Sequence, residues 1–472
     1  MRPVVWYRYP VRVWTLLVLW LLPAVALAAD PLTLQEVLRS VSGTHPDLEV
    51  AELGVDKAEA KAFAARGGFD PILAIKGKYT PVGYYTNGQV DTLVRQPTPF
   101  WGAGLYAGYR IGLGSYPVYR GELQTLSGGE VRAGIDVPIW RDGPIDDRRA
   151  KIRRAKIERN AAQFSRDAAE LDLQREAAKS YWSWVAAGLR LRVARELLAI
   201  AERRDAGLNE QATEGAIENI QLVDNRRLVL DRMGKVVSAE REFNEASLAL
   251  SLFLRDDDRN PVRMGEERVP ADLPEPIRVD VPSLEREVQR AMNVRPDVAA
   301  LDASREAANV DVRLARNQRA PKVNLQTFVA KDLGDGPVEL GPIEWGAGIV
   351  VEMPLPLRQA RGDLRAAQAD RSSVDAKRRG LRDKVGVDVR KAIVALEAAE
   401  QNIVLARRQV AAADELAAAE RTKLIEGASE LVIVNLRELA AADAANQEID
   451  ALADFHRAHA DFMASTGRLP AS

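Results

Sequence analysis

The chain has 472 residues, with 66 Lys and Arg against 68 Asp and Glu, a formal charge of −2 and no cysteine. A chain this close to neutral, with no basic stripe, is not built for nucleic acid. Without thiols it can carry neither a disulfide framework nor a lipidated N-terminal cysteine.

The first residues place Arg2, Arg8 and Arg12 before an apolar run from Val13 to Leu22, a Pro23 breaker and the small residues Ala24, Ala26 and Ala28. This is the layout of a secretory signal peptide over 1–28, cut after Ala28. The competing reading is a retained membrane anchor, for which the run is short. Removal of the segment takes away three arginines and no acid, moving the formal charge from −2 to −5. Beyond it no stretch of about 18 apolar residues occurs, so residence in a membrane would require β-strands.

Thr33-Leu34-Gln35-Glu36 has the spacing of a capping box and opens a helix that breaks at His45-Pro46, restarts at Asp47 and ends near Gly67-Gly68. After Pro71 the apolar period changes to two: Leu73, Ile75, Gly77 and Tyr79 fall on one face, Ala74, Lys76, Lys78 and Thr80 on the other. The same alternation recurs from Ala103 through Leu105 and Tyr109 to Leu113, and from Val131 to Val137. From about Asp146 to Arg204 the residues Phe164, Ala168, Leu171, Ala178, Trp182, Val185, Leu189, Val193 and Leu197 keep spacings of three, four or seven. That is coiled-coil-like packing along a long rod. Residues 256–282 hold three consecutive aspartates and five prolines and read as an extended connector outside the rods.

The second half repeats the first. Residue n laid over n+250 places Thr33-Leu34 on Ser283-Leu284, Pro46-Asp47 on Pro296-Asp297 and Pro71 on Pro321. Strands recur at Val323-Leu325-Thr327-Val329 and Trp345-Ala347-Ile349-Val351-Met353, and a long alanine-rich helix runs from about Arg361 to Lys423. Val137-Pro138-Ile139 matches Met353-Pro354-Leu355 at an offset of 216, so the first half carries 34 additional residues between its first strand and this motif. The expected organisation is a first repeat over 29–255 (strand region 72–140, long helices 146–253), the connector, a second repeat over 283–465 (strand region 322–355, long helices 359–465) and a tail over 466–472.

Alternation of this kind fits a half-buried soluble sheet or a barrel wall with lipid outside and water inside. Strands of about ten residues, terminal Trp and Tyr, and an export signal favour the wall. About eight strands are the practical minimum for closure, so several chains would each contribute a few.

The strongest local repeat is Glu214-Gly215-Ala216-Ile217-Glu218 against Glu426-Gly427-Ala428-Ser429-Glu430, each between two helices. Glu218 and Glu430 could serve only the first turn of the following helix. In a ring of chains, Glu214, Glu218, Glu426 and Glu430 would instead form negatively charged rings at a pore mouth. His456 and His459 lack a third ligand and read as a solvated helix face, and the glycines at 102, 104 and 108 lack dinucleotide-loop spacing. Trp182, with Tyr181 and Trp184, reads as interhelix packing. No catalytic constellation, cofactor site or metal site is seen, and the chain is not expected to be an enzyme.

These residues resemble the TolC-like outer-membrane efflux proteins. The resemblance rests on the export signal, the duplicated unit opening with Leu32-Thr33-Leu34-Gln35-Glu36-Val37-Leu38, the following Pro46-Asp47, the strand ends at Val137-Pro138-Ile139 and Met353-Pro354-Leu355, and the helix breaks at Gly215 and Gly427. It implies a mainly α fold with a β portion. Each duplicated unit would run helix, strand, long helix, helix. The long helices would form a periplasmic α-barrel, and a few strands per chain would join a shared transmembrane β-barrel. It further implies a homotrimer set in outer-membrane lipid, without nucleic acid. Such a channel exports small molecules or proteins passed on by a periplasmic adaptor and an inner-membrane transporter. Its wall would include Leu73, Ile75, Tyr79, Leu105, Tyr109, Val323, Leu325, Trp345 and Ile349, and its tip Gly215 and Gly427. Where some members carry tip aspartates past the second glycine, this chain reads Leu431-Val432-Ile433-Val434-Asn435-Leu436. Any acidic ring must then come from the glutamates or Asp224. The alternative from another class is a soluble periplasmic coiled-coil adaptor or scaffold.

Overall fold

The computed structural model describes residues 30–118, 123–213, 219–277 and 283–470; the expected signal segment lies outside them. Helix α1 (Leu34–Thr44) starts where Thr33 Oγ1 accepts the Glu36 amide at 3.2 Å, and α2 (Pro46–Arg66) starts on His45, whose Nδ1 accepts the Asp47 amide. The second repeat uses the same devices: Ser283 Oγ accepts the Arg286 amide before α5 (Leu284–Val294), and Pro296 opens α6 (Pro296–Asn317). A proline costs nothing there, because its missing N–H would have no intrahelical partner.

Each short-helix pair leads into strands: β1 (Ile72–Thr80), β2 (Asn87–Pro97), β3 (Gly104–Gly114) and β4 (Glu130–Pro138) in the first repeat, β5 (Lys322–Asp332) and β6 (Glu344–Glu352) in the second. All six form one antiparallel meander in the order β1-β2-β3-β4-β5-β6. Five strands were expected; β2 is the addition. The 34-residue excess therefore contains the β2–β3 hairpin, paired along its whole length with Val90 opposite Ile111 and Val94 opposite Ala107.

From the sheet descend α3 (Asp147–Thr213) and α7 (Arg358–Ile425), of 67 and 68 residues. At about 1.5 Å per residue each is a rod about 100 Å long. Near the sheet α3 packs on α2 and α6, and α6 on α7. Farther along, α3 packs on α4 (Asn219–Ser251) and α8 (Leu431–Ser465), and α8 on α7. The lateral order is thus α2-α3-α6-α7 above and α4-α3-α8-α7 below, with α7 on one flank and α2 or α4 on the other. The seam read on α3 holds from Leu171 onward, with Leu171, Ala178, Trp182, Val185, Leu189 and Leu197 buried and Val193 half-buried, whereas nearer the sheet Ala168 is half-buried and Phe164 is exposed. Alanines 360, 392, 399, 406 and 417 take almost half of the buried positions of α7.

The main core lies midway along the rods, where Trp184, Val185 and Leu189 meet Phe243, Leu250, Leu396, Ile403, Leu452 and Phe455. The connector does not stay outside. Val269 and Leu273 are buried in this core, and Gly188 on α3 admits Val269, whose side chain lies 2.7 Å from where a Cβ would stand. Burying two apolar side chains outweighs leaving the segment in solvent.

Candidate functional site

Two regions carry the candidate residues, the sheet and the far end of the rods. Pairing across the six strands puts Leu73, Ile75, Tyr79, Leu105, Tyr109, Val323, Leu325, Trp345 and Ile349 on one face, because each is joined to the next strand in in-face register (Leu73 opposite Val94, Leu105 opposite Ile135, Leu325 opposite Ile349). Val90, Val94, Ile111, Val131 and Ile135 extend the same face. Most of it is open to the surroundings, with Trp345 78% exposed, while Val323 and Leu325 are half-buried. The opposite face is polar and laced with ion pairs: Arg132 with Asp91 at 2.5 Å, Arg110 with Glu130 at 3.1 Å and Lys322 with Glu352 at 3.4 Å. Contiguous exposed apolar surface of this extent marks contact with lipid or another protein.

At the far end α7 stops in a glycine-dependent turn. Gly427 takes φ +72°, its amide donates to Leu424 O at 3.1 Å and the Ala428 amide to Lys423 O at 2.8 Å. This is the two-bond helix stop that a left-handed residue permits. Glu426 caps α7 and Glu430 is the N-cap of α8, its carbonyl accepting the Ile433 and Val434 amides. Glu430 therefore precedes the helix rather than occupying its first turn, and both glutamates are exposed. Among the described residues, Asp224, near the start of α4, pairs with Arg227 on its own helix at 3.3 Å and with no other cation. Glu214, Gly215 and Glu218 lie outside the described residues.

Just inside this end is a cluster the sequence did not reveal. Glu438 of α8, its side chain 1% exposed, takes Arg204 of α3 at 2.6 Å, Arg421 of α7 at 3.0 Å and Arg232 of α4 at 3.4 Å. One carboxylate thus ties all four long helices and places both hairpin ends together. Burial alone would raise the Glu438 carboxyl, but the guanidinium of Arg204, then that of Arg421, outweighs it and holds the group below its ordinary range. Arg232, 2% exposed, also donates to Leu197 O at 2.9 Å; burial lowers its pKa and Glu438 partly restores it.

The histidines differ from expectation. His456 is buried, stacked on Trp182 with ring centroids 4.3 Å apart and bonded through Nε2 to Pro274 O at 2.9 Å, and His459 lies against Phe455. Burial lowers the pKa of both. They face the core because the connector and α3 cover that side of α8. Among the described residues there is no group of three or more potential metal ligands, and no helix is long and apolar enough to cross a membrane.

A six-stranded sheet with one exposed apolar face is continued by helical rods open on both flanks. Residues 288–468 match the family model described as outer membrane efflux protein. Comparison with curated proteins found no match. Among solved structures the chain is similar to the outer-membrane channel OprN (16% identity, TM-score 0.67, covering 92% of this chain and 89% of that one). It is also similar to the CmeC outer membrane channel of Campylobacter jejuni (14%, 0.65, 92% and 85%) and to the open state of the MtrE outer membrane channel of Neisseria gonorrhoeae (17%, 0.65, 92% and 89%). The resemblance read in the sequence is borne out, in the second repeat by the family model and across the chain by the fold.

Proposed function

We propose that the chain is one subunit of a passive outer-membrane channel-tunnel that exports small molecules or proteins, as a homotrimer fed by an inner-membrane transporter through a periplasmic adaptor. The observation that carries this reading is the apolar face spanning all six strands. An adaptor or scaffold would cover that face with its own chain, whereas here it is bare. The rods support a ring of copies: α4 leaves Val223, Leu230 and Val237 exposed at spacings of seven, and α7 on the other flank leaves Val387, Val394, Leu405 and Leu416 exposed. In a ring α7 of one copy meets α4 of the next, a heterologous interface that closes by rotation.

In such a ring Glu426 and Glu430 form two rings of negative charge at the tunnel end, where they favour cations. The Glu438 cluster holds the two helical hairpins of each subunit together behind that end. Membrane fractionation tests the reading: the protein stays with outer-membrane vesicles through carbonate extraction and requires detergent for release. Recovery in the soluble periplasmic fraction would make it an adaptor or scaffold.

A further inference from the structure

We infer that β6 of one copy pairs with β1 of the next, so that a ring of three copies is walled by 18 strands, the β2–β3 hairpin supplying two wall strands per copy. This rests on the trimeric channel reading above and adds how the wall closes and how wide it is.

The first support is direction. The sheet is an antiparallel meander of six strands, an even number, so β6 runs opposite to β1 and joins the next copy's β1 in the same antiparallel pattern. The two open edges also match in length, with nine residues each.

The second support is charge. On the polar face β1 carries Lys76 and Lys78, and β6 carries Glu344 and Glu352. Pairing β1 with another β1 sets lysines against lysines, and pairing β6 with β6 sets glutamates against glutamates; both are disfavoured. Pairing β6 with β1 in the fully overlapping register sets Glu344 diagonal to Lys78. Gly346 and Gly348 then face Lys78 and Lys76 and leave them room.

The third support concerns the hairpin itself, which could have been a loop outside the wall. Its outward side chains Val90, Val94, Leu105, Tyr109, Ile111 and Leu113 continue the apolar face of β1, with Thr92 the polar member between Val90 and Val94. Its inward turn is tied to the helical end: Gln96 Nε2 donates to Phe69 O at 2.7 Å, and Gly102 at φ +70° lies so close to the loop before α3 that a Cβ would come within 2.5 Å of Asp142 O. A hairpin paired on both sides, apolar on the outer face and fixed at its base is part of the wall.

Strand number sets the bore. At ~4.8 Å between strands and ~40° of tilt, 18 strands give a backbone radius of about 18 Å, against about 12 Å for the 12 strands left without the hairpin. The wider wall suits a cargo bulkier than a single small solute.

The absence of cysteine allows a clean test on the full-length channel in lipid. Gly348→Cys, at a site where an added Cβ meets nothing within 4 Å, is combined in turn with Ala74→Cys, Lys76→Cys and Lys78→Cys and oxidised. Separately, Leu73→Cys, Ile349→Cys, Val94→Cys and Ile111→Cys are labelled with an environment-sensitive fluorophore and exposed to vesicles of lipids brominated along the acyl chain. The expected result is a disulfide ladder of one, two and three chains that stops at three, with loss of fluorescence at all four labelled positions. Quenching at Leu73 and Ile349 but not at Val94 and Ile111 puts the hairpin outside the wall and overturns the 18-strand count while leaving the channel reading intact. Quenching at all four without any inter-chain disulfide overturns the β6–β1 closure. A ladder passing three chains overturns the count. No quenching at any position overturns the channel reading itself.

Discussion

Replacing Glu438 by glutamine tests the four-helix junction most sharply, because the substitution keeps shape and removes only charge. Three arginines converge on this carboxylate, and the least solvated of them, Arg232, retains only the Leu197 carbonyl once the charge is gone. Breaking a buried pair by removing one partner costs about 3–5 kcal/mol, most of it from the charge left stranded. Arg204 and Arg421 reach solvent more easily, at 17% and 48% exposure, and add little. If stranding is the cause, removing Arg232 first removes the penalty. In an Arg232→Met background Glu438→Gln then costs about 1 kcal/mol, the value of a lost hydrogen bond. Native-state hydrogen exchange over 197–213 and 419–440 reads the local opening free energy in all four members of this cycle. Equal costs in the two backgrounds would refute the coupling of Arg232 to Glu438. The carboxyl is held below its ordinary value of 4.5, so its contribution is full above that pH and is lost as pH falls through the lower folded value.

Three further outcomes are expected. Gly427→Ala forces a Cβ into φ +72° and raises the local opening of the α7–α8 turn by about 1 kcal/mol, seen as faster exchange of the Gly427 and Ala428 amides; unchanged exchange would contradict the left-handed helix stop. His456 and His459 have folded pKa values below the ordinary 6.5, so the unfolded chain binds protons first and thermal stability declines as pH falls below about 6.5. His456→Phe, which keeps the stack on Trp182, flattens that decline, and an unaltered slope would show that the titrating group lies elsewhere. Glu426→Gln with Glu430→Gln shifts the reversal potential in a salt gradient toward lower cation preference, and an unmoved potential would leave both residues with a helix-capping role only.

Much of the fold could be read from the chain because it rests on local rules. Thr33, Ser283, Pro46 and Pro296 fix helix starts within four residues of themselves, and Gly427 marks a helix stop through its own backbone angle. The five strands read by alternation keep a period of two over most of their length, even where Gly77 or Thr327 falls on the apolar face. β2 escaped because Leu93 interrupts its polar face and Thr92 its apolar one, and only pairing with β1 and β3 settles its orientation. Glu438 escaped for a different reason: Arg204 and Arg232 lie 234 and 206 residues away in sequence, so nothing near Glu438 announces its partners. His456 looked solvated because the carbonyl and ring that enclose it come from Pro274 and Trp182.

The most direct test of the central claim is electrical. Full-length protein added to a planar lipid bilayer is expected to produce discrete, uniform conductance steps, with the open state sustained when the tip is loosened by Glu438→Gln. A protein that remains water-soluble without detergent and never conducts would contradict it.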